Sequence, residues 1–420
     1  MLQDIFKGLN LQEYSKNIRR FFLFATLLFS GIALFMLLYN LYLTRLGFQE
    51  DFIGQMAGMF PLASGIFALP IGVWSDRIGR KPFLIVSSLS LGISYLGLCL
   101  LSSPILLLAF SFIGGVAGSC VFVNFIPFLA ENTAPERRGQ AIAIWMAIGG
   151  LTRMVTSLAG GWLPGLMGLL TGISTERPEP FRYALLLGAF LTLVSIFPAF
   201  RIRERKPPNP DPTAEQDPAP RSEAPVKAPW KLLATFTSIS AFRGLSMGLS
   251  LPFFNVFFQE ELHTSAAAIG IVFFLCQVAV LPSTLSAPAL SRRLGATATV
   301  VPLRLLGVFC LSALGWTLHL PLAVVFLLFI SIVEGVSTPT EMSFATDVMP
   351  RRYLGRMQSL RVTGFQLLSA LGSIWAGGLI LRFGYGAAFG LAGLALLASA
   401  AIFGTRFNWR KGQPAPAHGD

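Results

Sequence analysis

Residues 72–81 read Gly72-Val-Trp-Ser-Asp-Arg-Ile-Gly-Arg-Lys81, a polar, basic decapeptide between two apolar runs that are each long enough to cross a bilayer. One acid and three bases do not lie unpartnered in hydrocarbon, because the charged form of a side chain is costly there. The decapeptide is therefore predicted to be a short, tight loop at one membrane face. Lys and Arg are enriched in cytoplasmic loops, so this face is predicted to be cytoplasmic.

The composition is that of a polytopic membrane protein. Of the 420 residues, 54% are hydrophobic and 12% are charged, whereas about a quarter of the residues of soluble domains are charged. The apolar runs have the length of transmembrane helices and lack the ten-residue alternation of a membrane barrel. The sequence therefore predicts an all-α protein in a lipid bilayer.

Apolar runs and polar breaks divide the chain into twelve predicted transmembrane helices. An even number of spans places both termini on the same side of the membrane. The predicted spans are 20–43, 52–74, 82–101, 104–129, 140–167, 182–201, 232–258, 265–290, 297–318, 321–347, 355–381 and 386–407.

The net charge of +12 is compatible with a nucleic-acid partner, but the positions of the bases favour membrane topology. The termini and alternate loops hold 24 Lys and Arg residues, and the opposite loops hold Arg45, Arg177, Arg182 and Arg382. We therefore expect a multi-pass protein of the cell (cytoplasmic or inner) membrane with both termini in the cytoplasm. No nucleic-acid partner is expected.

The segment 204–230 is rich in Pro and charge and short of aliphatic residues, so it is predicted to be an extended cytoplasmic linker. It separates an N-terminal six-helix bundle, residues 1–203, from a C-terminal six-helix bundle with a short cytoplasmic tail, residues 231–420.

The two halves share a constant spacing, which predicts a duplicated unit. Equivalent residues differ by 216 positions: Leu46 and Leu262, Ile53-Gly54 and Ile269-Gly270, Gly79 and Gly295, Glu131 and Asp347, and Gly139 and Gly355.

The decapeptide matches, position for position, the signature Gly-x-x-x-Asp-Arg-x-Gly-Arg-Lys between the second and third helices of the major facilitator superfamily of secondary transporters. The chain resembles this family over essentially all twelve spans. The resemblance implies two pseudo-symmetric bundles that give a small-molecule substrate alternating access to a cavity at the bilayer midplane.

The resemblance also implies a latch that closes the cytoplasmic gate. In the family, the acid of the decapeptide meets the start of the eleventh helix, and its bases meet acids after the fourth helix. An anion at a helix N-terminus is favourable, which gives the contact a physical reason. A purely topological role for the bases is the alternative. The residues that carry over to this latch are Gly72, Asp76, Arg77, Gly79, Arg80 and Glu131.

Charges inside the spans are candidates for function, because each needs a partner or water. Arg153 lies about 14 residues into the fifth span and Glu334 about 14 into the tenth, which places both near the midplane. Glu334, Thr338 and Glu341 share one face of the tenth helix, which is predicted to face water. Glu334 is either a proton carrier or the structural partner of Arg243 or Arg153, and Glu341 is the weaker candidate.

Arg243 lies too deep to reach the surface easily, so Arg153 and Arg243 are candidates for binding anionic groups. Arg304 and Arg361 lie nearer to the membrane surface and are predicted to extend to it in a packing role. Further candidates for contact with substrate are the polar residues of the first, fourth and seventh spans, namely Tyr39, Asn40, Asn124 and Asn255.

Neither a phosphate-binding loop nor metal-ligand spacing nor a nucleophile pattern is evident in the sequence, so we expect no enzyme activity, cofactor or metal. We predict a monomeric, proton-coupled transporter that exports an amphipathic compound. Proton-coupled uptake of an anionic metabolite is the alternative, and a membrane sensor that transports nothing is a remote one.

Overall fold

The computed structural model describes residues 14–134, 137–203 and 229–407, and the N-terminal half forms six membrane-length helices. The predicted linker 204–230 lies outside the described residues except for its last two positions, as do the first 13 and last 13 residues. Helices α1 to α6 cover Lys16–Arg45, Glu50–Ile78, Arg80–Leu100, Pro104–Asn132, Arg138–Thr171 and Pro178–Phe200.

The C-terminal half repeats this arrangement. Its last helix, Leu354–Arg406, has 53 residues, about 80 Å at the helical rise and far more than the ~30 Å of a bilayer core. Gly384, at φ 78° and ψ 174°, breaks it into α11 (354–383) and α12 (385–406). With α7 to α10 at Trp230–Glu260, Ala266–Leu294, Ala296–Leu314 and Leu320–Val348, the prediction of twelve spans is confirmed.

The turn in the decapeptide is shorter than predicted. Helix α2 continues to Ile78 and α3 starts at Arg80, so that Gly79 alone reverses the chain, at φ 105°. Gly295, 216 positions later, makes the same turn between α8 and α9 at φ 87°. A positive φ is accessible to glycine at little cost. The prediction of a loop over 72–81 is therefore wrong for Gly72, Asp76 and Arg77, which lie in the last turns of α2.

Helix packing follows one scheme in both halves, which confirms two pseudo-symmetric six-helix bundles. In the first half, α1 packs against α5 and α6, α2 against α4, and α3 against α4 and α6. In the second, α7 packs against α11 and α12, α8 against α10, and α9 against α10 and α12.

Two glycine pairs join the bundles. A Cβ on Gly54 of α2 would lie 3.1 Å from the Cα of Gly377 in α11, and a Cβ on Gly161 of α5 would lie 2.9 Å from the Cα of Gly270 in α8. Small residues allow two helix backbones to approach this closely. Gly54 and Gly270 differ by 216 positions, as do Gly161 and Gly377, so the two seams are equivalent under the duplication.

The close glycine contacts between the bundles lie toward one side of the molecule. We call the side where α1 starts and α12 ends the termini side, and the opposite one the far side. Both glycine pairs lie toward the far side. Nearer the termini side, a Cβ on Gly72 of α2 would meet Val123 of α4 alone, and one on Gly150 of α5 would meet nothing within 4 Å. The closest backbone contacts between the bundles at these glycines therefore lie toward the far side.

Candidate functional site

Glu341 of α10 is the centre of an ionic cluster inside the C-terminal bundle. Its side chain is 0% exposed. Oε1 accepts a hydrogen bond from Arg361 Nη2 of α11 at 2.5 Å, and Oε2 accepts one from Arg304 Nη2 of α9. Arg243 Nη1 of α7 lies 3.7 Å from Oε2. The prediction that Glu341 faces water is therefore wrong, because three guanidinium groups take the place of water around the carboxylate.

Arg304 and Arg361 do not extend to the membrane surface as predicted. Besides Glu341, Arg304 donates to Ser399 Oγ at 3.0 Å, and Arg361 donates through Nε to Ser240 Oγ at 3.0 Å. Both side chains instead point into the bundle, where each guanidinium group donates to the Glu341 carboxylate and to a serine hydroxyl. Charge-assisted hydrogen bonds of this kind are the strong ones.

Glu334 lies at the middle of the 29-residue α10, two turns before Glu341, and is partly buried. The Thr338 hydroxyl donates to its Oε2 at 2.9 Å. Within the described parts of the chain it forms no ion pair. The interpretation of Glu334 as a structural partner of Arg243 does not fit this geometry, since the carboxylate beside Arg243 is Glu341.

The two arginines predicted to bind anions differ in surroundings. Arg153 is exposed and has neither an ion pair nor a hydrogen bond to another described residue. The Arg243 side chain is 13% exposed and its guanidinium group lies 5.3 Å from the ring centroid of Phe365. Its Nε and Nη1 have no hydrogen-bond partner among the described residues.

The amides of α1 and α7 join the two bundles. Asn40 Nδ2 donates to the Pro252 carbonyl at 2.5 Å, and Asn255 Nδ2 donates to the Leu37 carbonyl at 2.8 Å. The ends of α1 and α7, which are equivalent in the two halves, thus each donate an amide hydrogen bond to a backbone carbonyl of the other. Gln259 adds a third bond, to Thr44 Oγ1 at 3.0 Å, which the sequence did not single out although it follows Asn255 by one turn.

Tyr39 and Asn124 are buried in the N-terminal half with partly unsatisfied polar atoms. Tyr39 packs on Phe35 with centroids 5.7 Å apart, and its hydroxyl has no partner in the described residues. Asn124 Nδ2 donates to the Cys120 carbonyl of its own helix at 2.8 Å, while Oδ1 has no described partner.

Arg80 gathers the predicted latch residues on the termini side. Its guanidinium group contacts Glu131 Oε1 at 3.1 Å, Asp76 Oδ1 at 2.5 Å and Ser75 Oγ at 2.6 Å. All of these lie on α2, α3 and α4 of one bundle. Asp76, 66% exposed, has Arg80 as its described ion-pair partner rather than α11. Arg77 is exposed and forms no ion pair within the described ranges.

The model of the Major Facilitator Superfamily matches residues 21–373 and 239–418. The chain belongs to the Major Facilitator Superfamily. This chain is 25% identical to the putative sugar efflux transporter of Deinococcus radiodurans over 377 residues. The match covers 83% of this chain and 88% of the Deinococcus protein. The multi-drug resistance efflux pump PmrA of Streptococcus pneumoniae is 28% identical over 208 residues, and the match spans 47% of each chain.

A solved structure supports the same fold. The crystal structure of a mutant of the nucleoside transporter NupG superposes with a TM-score of 0.74, at 14% identity, over 94% of this chain and 100% of that one. At this identity the similarity concerns the fold and not the substrate. Membership of the superfamily and the membrane-length helices together make this chain a multi-pass membrane transporter.

Proposed function

We propose that this transporter exports an amphipathic small molecule in exchange for protons, and that Glu334 carries the proton. The observation that supports this proposal is that Glu334 and Glu341, the two carboxylates deep in α10, differ in their charged neighbours. Glu341 is surrounded by three guanidinium groups, whereas Glu334 has a hydroxyl partner and no cation among the described residues. Glu341 is held in ion pairs with the arginines, so we assign the proton to the carboxylate that has no such partner among the described residues, Glu334.

We also propose that the termini side is cytoplasmic, on the distribution of Lys and Arg. The close glycine contacts between the bundles then lie toward the outer side, and we propose that the cavity opens to the cytoplasm in this conformation. In the proposed cycle Glu334 takes up a proton while the cavity is open outward. It releases the proton to the cytoplasm when the cavity opens inward, and substrate binds there for export.

Export is the direction favoured by the similarity to a sugar efflux transporter and a multi-drug resistance efflux pump. The boundaries of the domains belong to the same proposal: bundles 1–203 and 231–420, the linker 204–230 and a monomeric transporter. The latch of Asp76, Arg80 and Glu131 would close the cytoplasmic side when the bundles come together there.

Flux into proteoliposomes tests proton coupling. Ethidium and Hoechst 33342 serve as amphipathic probes, with an imposed pH gradient in one series and equal pH with preloaded substrate in the other. We expect Glu334→Gln to abolish gradient-driven accumulation and to retain exchange, since exchange requires no net proton movement. Glu176→Gln, in an exposed far-side loop, is the control. Gradient-driven flux in Glu334→Gln equal to that of wild type would contradict the proposal.

Uptake of an anionic metabolite is the second candidate, because Arg153 is exposed without an anionic partner in the described chain and Arg243 has unused donors. A panel of radiolabelled carboxylates in the same vesicles tests it. Accumulation that Arg153→Gln removes would favour uptake over export.

A further inference from the structure

The Glu341 cluster contains more positive charge than its carboxylate neutralises. Arg243, Arg304 and Arg361 contribute three positive charges and Glu341 one negative charge, and Glu341 is the acid within ion-pair distance of these arginines in the described residues. An uncompensated charge is costly in the interior of a protein, so a cluster with net charge +2 favours a further anion.

The cluster also has unused hydrogen-bond donors. Each oxygen of Glu341 already accepts a bond, from Arg361 on Oε1 and from Arg304 on Oε2. Arg304, which is 0% exposed, has no described partner for Nε, and Arg243 has none for Nε and Nη1. Guanidinium N–H groups that lack an acceptor in a dry interior leave the full cost of their desolvation uncompensated.

We propose that a small monovalent anion, a halide or a carboxylate group, binds beside Glu341 with Arg243 and Arg304 as its donors. Both of these arginines approach Glu341 Oε2, so their guanidinium groups lie beside the same carboxylate oxygen. Arg243 is the point of entry, because its side chain is 13% exposed and those of Arg304 and Glu341 are 0% exposed. The anion reduces the net charge of the cluster to +1.

Anion-dependent thermal unfolding tests the site. The purified protein is heated in detergent with sodium chloride, sodium acetate or sodium gluconate at equal ionic strength, and gluconate serves as the bulky reference anion. Ligands that bind the folded state raise its Tm, so we expect chloride or acetate to raise Tm by about 2 °C or more over gluconate. Arg243→Gln should remove the rise, and the exposed control Arg382→Gln should retain it.

Two results overturn the proposal: a Tm that does not depend on the anion in wild type, or a rise that is equal in Arg243→Gln and wild type. Crystals of the wild-type protein grown in bromide provide a test that requires no variant. Anomalous density between Arg243 and Arg304 supports a halide site. Water or empty space there, in bromide and in acetate, contradicts the proposal.

The same measurements identify the source of the anion and show whether the anion site is independent of Glu334. A rise in Tm with chloride indicates a free inorganic ion, and a rise with acetate alone indicates the acid group of a transported molecule. Glu334→Gln should retain the anion effect even where it abolishes proton coupling. Failure of the anion site and failure of the proposed exchange mechanism are therefore distinguishable.

Discussion

The interiors of the two bundles differ at equivalent positions. Phe125 of α4 and Trp145 of α5 form an edge-to-face ring pair with centroids 5.9 Å apart. The residues 216 positions later are Glu341 and Arg361, which form an ion pair at 2.5 Å. One pair of positions in the duplicated fold therefore contains an aromatic contact in the first half and a salt bridge in the second.

A second pair of positions shows the same difference. Ser88 of α3 shares a hydrogen bond with Ser195 at 2.8 Å, and its equivalent, 216 positions later, is Arg304. Duplication preserved the paths of the helices and the glycine seams, while the side chains inside the bundles diverged. The buried ion pairs of the described spans are in the C-terminal bundle, so the first bundle resembles a scaffold and the second contains the electrostatic site.

The largest effect is expected for Glu341→Gln, which leaves three guanidinium groups without a carboxylate. Removal of one partner from a buried ion pair costs about 3–5 kcal/mol. Denaturant unfolding in detergent measures the loss, and Glu131→Gln, an exposed partner of Arg80, should cost about 1 kcal/mol or less. Equal losses in the two variants would show that the buried Glu341 cluster stabilises the fold no more than an exposed ion pair of the N-terminal bundle does.

The two glycine pairs that join the bundles are equivalent under the duplication, whereas the interiors of the bundles differ. Gly161→Ala and Gly377→Ala should therefore have similar effects. Each added methyl group would clash with a neighbouring helix backbone, at a cost of about 1–3 kcal/mol to the far-side-closed conformation. Spin-label distances between Ile78 and Arg356, both exposed on the termini side, should shorten in either variant.

Gly165→Ala is the matched control, since it lies one turn after Gly161 and a Cβ there would meet nothing within 4 Å. It gains the same helix propensity without the clash. A distance distribution in Gly161→Ala that equals the one in Gly165→Ala would show that the seam does not determine the conformation.

A smaller loss is expected for Ser88→Ala in the N-terminal bundle. The variant removes one neutral hydrogen bond to Ser195, which is worth about 1 kcal/mol. Denaturant unfolding should show this loss with no change in the anion dependence of Tm. A loss as large as that of Glu341→Gln would mean that the first bundle is also held together mainly by polar contacts.

The smallest effect should follow Arg80→Gln. Arg80 bridges Asp76 and Glu131, which are both largely exposed, and exposed ion pairs contribute about 0.2–1 kcal/mol. Unfolding in low and high salt measures it, since salt screens exposed charges. A loss that does not change with salt would indicate that Arg80 stabilises the fold by packing instead.

The sequence predicted the helices, the duplication and the membrane setting, because each depends on local composition or on spacing. It did not predict the partners of Glu341. Position along a span gives the depth of Arg304 and Arg361 but not the direction of the side chain, which depends on how α9 and α11 are rotated in the bundle. Similarly, the spacing of Gly54 and Gly270 marks them as equivalent, yet their partners lie on helices of the other bundle.

In the proposed mechanism, Glu334 exchanges a proton while Glu341 remains in its ion pairs. Infrared difference spectra of the purified protein, recorded on a change of pH, detect the carbonyl stretch of a carboxyl group that gains a proton. We expect a carboxyl band that persists in Glu176→Gln and disappears in Glu334→Gln. A band that remains unchanged in Glu334→Gln would contradict it.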